Sequence, residues 1–189
     1  MLLFAALLIV ILLAGIVWRR GRLQALADVP VRHLWAAPVA LALQLPLMRA
    51  PAASAAPDLL WPRITFGASY LLLGWTLWAN RRLPGISWLA AGVFLNGLAV
   101  VANGGYMPIA PQTVAVLGDG AWPVGTHHGV SKDVVLPFSA TRLWFLSDIF
   151  VVPRPFPWPV AFSIGDVLIV VGVARFAWQV PAGEAKTSQ

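Results

Sequence analysis

Long apolar runs, separated by short clusters of arginine, proline and glycine, organise this chain. Met1 to Trp18 is uninterruptedly apolar and stops at Arg19, Arg20 and Arg22. At about 1.5 Å per residue, such a run covers most of a roughly 30 Å hydrocarbon layer. Its charges follow the apolar stretch, the reverse of a cleaved signal peptide, so the pattern predicts a retained helix with its N-terminus outside. Further apolar stretches lie at about 34–48, 58–79, 86–102 and 163–180. The second contains Pro38 and Pro46, which a membrane helix tolerates when neighbours re-satisfy the freed carbonyls. The third opens on Trp61–Pro62–Arg63 and closes on Trp75 and Trp78 before Asn80–Arg81–Arg82.

Between the last two stretches, residues 103–160 are rich in proline and glycine yet keep apolar patches such as Val114–Leu117 and Val134–Phe138. A connection of this length is functional or disordered as a rule, and its apolar content argues against disorder. It is expected to fold as a cap over the helix ends. Pro111 to Gly118 has proline near its start and glycine at its end, the asymmetry of a short helix. Thr141 to Ile149 is a second helical candidate, and Pro153 to Pro159 reads as extended.

Composition sharpens the membrane reading. The 189 residues are 59% hydrophobic and only 11% charged, against about 25% charged in an ordinary globular domain. The net charge of +6 comes from 13 Lys+Arg and 7 Asp+Glu, and basic clusters at helix ends suit cytoplasmic flanks better than nucleic-acid binding. The expected fold is therefore an all-α integral membrane bundle forming a single domain. It has five transmembrane helices, the N-terminus outside, the C-terminus inside and an extracytoplasmic cap between helices four and five. The expected location is the bacterial cytoplasmic (inner) membrane, multi-pass, with membrane lipid and other membrane-protein subunits as partners.

The residues available for chemistry are few. There is no cysteine, which removes thiol catalysis, disulfides and Cys-ligated metals. No acid or histidine falls at a predicted midplane, so a self-contained pump or channel lacks the groups it needs. No cofactor is expected. Asn96-Gly97 and Asn103-Gly104-Gly105 lie on the fourth stretch. Asn96 suits an interhelical hydrogen bond and the Asn-Gly-Gly run suits a helix end; alternatively the glycines admit a ligand close to the backbone. Ser163-Ile164-Gly165-Asp166 has the spacing of a reciprocal N-terminal capping pair, with Asp166 also facing the helix dipole. Asp148, in Leu-Ser-Asp-Ile-Phe, requires a partner: either an arginine such as Arg142, or a role beside Asp166 as an acid–base or cation-holding pair. His127 and His128 are adjacent, so their side chains diverge and metal binding is disfavoured, though one could act as a general base.

Three of these motifs together resemble a known pattern. Asn103-Gly104-Gly105-Tyr106-Met107-Pro108 closes a helix, Leu146-Ser147-Asp148 follows in the loop, and Ser163-Ile164-Gly165-Asp166 opens the last helix. Their order and spacing resemble the bacterial multi-pass family catalogued as domain of unknown function 5317. The resemblance implies that the three motifs form one site or one structural knot, and it implies no activity. The leading functional expectation is a non-catalytic accessory or scaffold subunit of a larger membrane complex. The alternative is a membrane-embedded enzyme or lipid-binding protein whose outer-leaflet site uses Asp148, Asp166 and Asn103 with His127 or His128. A transporter subunit would need a second chain to supply the missing charges.

Overall fold

A computed structural model describes residues 29–48, 60–118, 120, 122–128, 133–156 and 159–179. Helices occupy Ala36–Met48 (α1), Leu60–Ala79 (α2), Ile86–Ala102 (α3), Pro111–Leu117 (α4) and Ile164–Gln179 (α5). Short strands occupy Met107–Ile109 (β1), Asp133–Val135 (β2), Phe150–Val152 (β3) and Val160–Phe162 (β4), with 3-10 turns at Phe138–Ala140 and Trp144–Leu146.

The helices pack in chain-adjacent pairs, α1 on α2 and α2 on α3, and α5 returns onto α3. The α3–α5 contact is seamed by glycine. Gly85 meets Gly172 and Gly92 meets Gly165, so the two helices run antiparallel. A Cβ on Gly92 would lie 2.7 Å from Ile169 Cγ1 and 3.0 Å from the Ile169 amide nitrogen. Glycines seven residues apart return to nearly the same helix face, which is what lets two backbones approach along a line. Between α1 and α2 the contact is polar: Ser69 Oγ donates to the Ala40 carbonyl at 2.9 Å and Gln44 Nε2 donates to Ser69 Oγ at 2.6 Å.

Beyond the C-terminus of α3, β1 and β2 pair in parallel (Met107 with Asp133, Ile109 with Val135), and β3 pairs with β4 antiparallel. A buried cluster joins this region to the helices through Phe66, Ala99, Val100, Tyr106, Met107, Val134 and Leu146. A second cluster, Ile109, Val114, Leu117 and Val135, seats α4 on the first strand pair.

These observations correct the expected fold. Among the described residues no helix is long and apolar enough to cross a membrane. The helices do lie within the apolar stretches, but α1, α3 and α5 have 13, 17 and 16 residues, where a perpendicular span takes about 20. The 20 residues of α2 are diluted by Thr65, Gly67, Ser69, Tyr70, Gly74 and Thr76. The chain is thus a mixed fold of helices and short strands. The expectation of five transmembrane helices is overturned, and with it the outside–inside orientation and the multi-pass placement in an inner membrane. The predicted first span, 1–18, lies outside the described residues.

Two local expectations also change. Within 141–149 only Trp144–Leu146 is helical, as a single 3-10 turn. Residues 153–156 form a turn closed by Phe156 N–H donating to the Pro153 carbonyl at 3.2 Å, linking β3 towards β4. Proline at 153 and 155 breaks the strand because it offers no amide to a ladder.

Candidate functional site

α3 ends where its sequence predicts. Asn103 caps it, Gly104 takes φ 77°, and the Gly104 and Gly105 amides donate back to the Val101 and Val100 carbonyls at 3.4 and 2.9 Å. This is a Schellman closure, whose left-handed residue is sterically easy only for glycine. The Asn103 side chain then reaches across the loop. Its Nδ2 donates to the Ala99 carbonyl at 2.7 Å and to the Arg142 carbonyl at 2.8 Å, while its Oδ1 accepts the Arg142 amide at 2.9 Å. Arg142 is thereby held by its backbone, and its side chain remains exposed.

The same device closes α2. Asn80 Nδ2 donates to the Thr76 and Arg32 carbonyls, both at 2.8 Å, and Oδ1 accepts the Arg32 amide at 2.8 Å. In each case the residue after the clamped arginine, His33 or Leu143, has positive φ. An asparagine carboxamide presents one acceptor and two donors, so it can pair with a distant peptide as a strand would and still cap its own helix.

The last sequence motif forms a closed network with α3. Ser163 N–H donates to Asp166 Oδ2 at 3.0 Å, and the Asp166 amide donates to Ser163 Oγ at 3.1 Å. Ser163 Oγ also donates to Asn96 Oδ1 at 2.8 Å, and Asn96 Nδ2 donates to Asp166 Oδ1 at 2.8 Å. Both Asp166 oxygens are thus engaged at the N-terminus of α5, where the helix dipole favours negative charge. Gly165 allows the approach: a Cβ there would collide with the Asn96 carboxamide.

Under the strand region lies a second group of polar side chains. Met107 and Pro108 are buried in β1, and Asp148, itself buried, donates its amide to the Pro108 carbonyl at 3.3 Å. Tyr106 is 5% exposed and stands edge-on to the buried His127, their ring centroids 5.1 Å apart. Among the described residues the Tyr106 hydroxyl has no hydrogen-bond partner, and burial pushes its pKa above 10.0. His128 turns elsewhere, edge-on to Trp122 at 5.3 Å. Among the described residues no three His, Asp or Glu side chains converge as a metal-ligand set.

The structure therefore brings Asn96, Ser163, Gly165 and Asp166 into one knot and Asn103, Gly104, Gly105 and Arg142 into another. Met107, Pro108, Asp148 and His127 belong to the strand region beside them. Sequence reasoning missed Tyr106 as a buried phenol, and it missed Asn80 with Arg32. The repeated Ala-Asn at two helix ends, Ala79-Asn80 and Ala102-Asn103, was the available signal.

Comparison with known proteins agrees with the motif pattern. The model of a family of unknown function, DUF5317, matches residues 28–178. An uncharacterized protein of Thermotoga maritima is 30% identical over 116 residues, covering 61% of this chain and 64% of its own length. No solved structure matches. On the extent of the family match, the chain belongs to the DUF5317 family of unknown function.

Proposed function

We propose that this protein is a non-catalytic accessory or scaffold subunit that works by holding another protein against its apolar helix faces. The observation that carries the reading is the distribution of polarity on the helices. Gln44 and Ser69 are buried between α1 and α2, while Leu41, Leu45, Ile64 and Leu71 face outward, Leu71 at 77% exposure. On α3, Phe94 and Val101 are 64% and 65% exposed. Large apolar side chains exposed on the outer faces of three neighbouring helices suit an interaction site better than a surface meant for water.

The disposition of the polar motifs supports the same reading. General acid–base chemistry requires side chains free to meet a substrate proton. Asp166 and Asn96 instead satisfy one another and Ser163, and Asn103 spends its carboxamide on two backbones. Such residues fix the geometry on which a docking surface is displayed.

The test is affinity purification of the full chain from its own cells, with and without Leu71→Arg. A second polypeptide recovered in fixed stoichiometry, and lost on Leu71→Arg, is the expected result. A chain that purifies as a lone monomer, or keeps its companion despite the new charge, overturns the reading.

A further inference from the structure

The turn joining α2 to α3 and the segment preceding α1 border a half-open cavity of about 240 Å³. Pro30, Leu83 and the clamp residue Asn80 form part of its wall, and Arg32, Arg81 and Arg82 also line it. All three arginines are exposed, and three cationic side chains bordering one small hollow give it a positive potential that attracts an anion. Among the described residues no ion pair engages any of the three. The described acids lie towards the other end of α3. Asp166 bonds to Asn96, ten residues along from Ile86. Asp133 pairs with Met107 and Asp148 with Pro108, both beyond the helix's last residue.

Two of the three are tethered, Arg32 through its backbone and Arg81 through its side chain. The Asn80 carboxamide holds the Arg32 backbone by its amide and its carbonyl, each at 2.8 Å. Arg81 lies over the Trp78 ring at 4.4 Å and donates one Nη1 bond, at 3.0 Å, to the Trp78 carbonyl. Trp78 does not line the cavity, so Arg32 and Arg82 are the arginines whose guanidinium groups the proposal relies on. Fixing the backbone that carries Arg32 lowers part of the ordering cost of association. The volume falls below the roughly 300–1,000 Å³ of sites for drug-sized ligands, which selects a compact anion. Planar forks match the oxygens of a phosphate group two at a time.

We propose that this arginine-lined cavity is a binding site for a phosphate-bearing anion. It is distinct from the apolar faces and does not depend on their role. The test is calorimetric titration of the full chain with inorganic pyrophosphate in low-salt buffer. One saturable site is expected, weakened about tenfold or more by Arg32→Gln or by Arg82→Gln. Arg32→Lys and Arg82→Lys retain part of the affinity, because charge persists while the fork is lost. Arg142→Gln binds as the native chain does, since Arg142 is held by an equivalent clamp but does not line this cavity. Circular dichroism establishes that each variant is folded, and the lysine variants carry the test if a glutamine variant is not.

Flotation with vesicles containing phosphatidic acid separates the two sources of such a group. Flotation that pyrophosphate competes away assigns the site to a lipid headgroup. Pyrophosphate binding without flotation assigns it to a free phosphate compound. No saturable binding in either format, or binding that the arginine substitutions leave unchanged, overturns the site.

Discussion

Tyr106 shows how one atom can set a residue's behaviour. Its ring is a core element beside Phe66, Val100 and His127, yet its hydroxyl is buried without a hydrogen-bond partner among the described residues. A buried polar group left unsatisfied costs about 1–3 kcal/mol. Tyr106→Phe keeps the packing and removes that cost. Stability of the variant at neutral pH should therefore equal the native value or exceed it by up to about 1 kcal/mol. The pH dependence follows from the raised pKa. Well below pH 10.0 the phenol is neutral in both states. As pH rises beyond that, the unfolded chain loses the proton first, so native stability falls until the folded phenol ionises too. Tyr106→Phe should abolish this part of the decline. Urea unfolding on both sides of pH 10.0 measures it. A variant clearly less stable than the native chain at neutral pH would mean that the hydroxyl makes a bond.

At the scale of elements, the α3–α5 seam makes the clearest demand on sequence. Gly92 lies against Gly165 and Ile169, and an added methyl must displace backbone rather than a side-chain tip. Overpacking of this kind costs about 1–3 kcal/mol. Gly74, in α2, has nothing within 4 Å of where a Cβ would stand. There, alanine gains about 0.5–1 kcal/mol through helix propensity. Gly92→Ala should therefore lower the unfolding midpoint and Gly74→Ala raise it. Equal shifts in one direction would show that propensity, and not close approach, governs both positions.

The same seam marks what was legible beforehand. Signals carried within a few residues could be read: Pro111 starts α4 and Gly118 ends it at φ 82°, Ser163 and Asp166 cap each other, and Asn103-Gly104-Gly105 closes α3. The pairing of β1 with β2 was not legible. Each strand has three residues, and Met107, Pro108 and Ile109 are all buried, so no alternation announces them. The match of Gly85 and Gly92 with Gly172 and Gly165 needs two helices more than 70 positions apart to be aligned first. Apolar richness was misleading in another way. It places helices correctly but cannot say whether lipid or protein covers them, and the helix lengths decide against spanning.

For the molecule as a whole, the two helix pairs are held by different means, and their stabilities should differ. α3 and α5 share the glycine seam and the Asn96–Ser163–Asp166 network, and α3 is closed by its Schellman turn and the Asn103 clamp. α1 rests chiefly on α2, through Gln44 and Ser69 and with Leu41 and Leu45 facing outward. Segments with few buried apolar contacts open locally well before the whole fold does. Hydrogen exchange of the isolated chain should find the slowest amides in the middle of α3 and α5. Those of α1 should exchange at least about tenfold faster, the equivalent of about 1.4 kcal/mol. If the apolar faces are where a second protein docks, its addition should slow α1 and α2 while leaving the middle of α3 and α5 at its former rate, because that seam is already closed. Uniform protection across α1, α2, α3 and α5 in the isolated chain would contradict this. It would mean that α1 is locked into the same cooperative unit without any outside cover, and that its exposed leucines are not waiting for one.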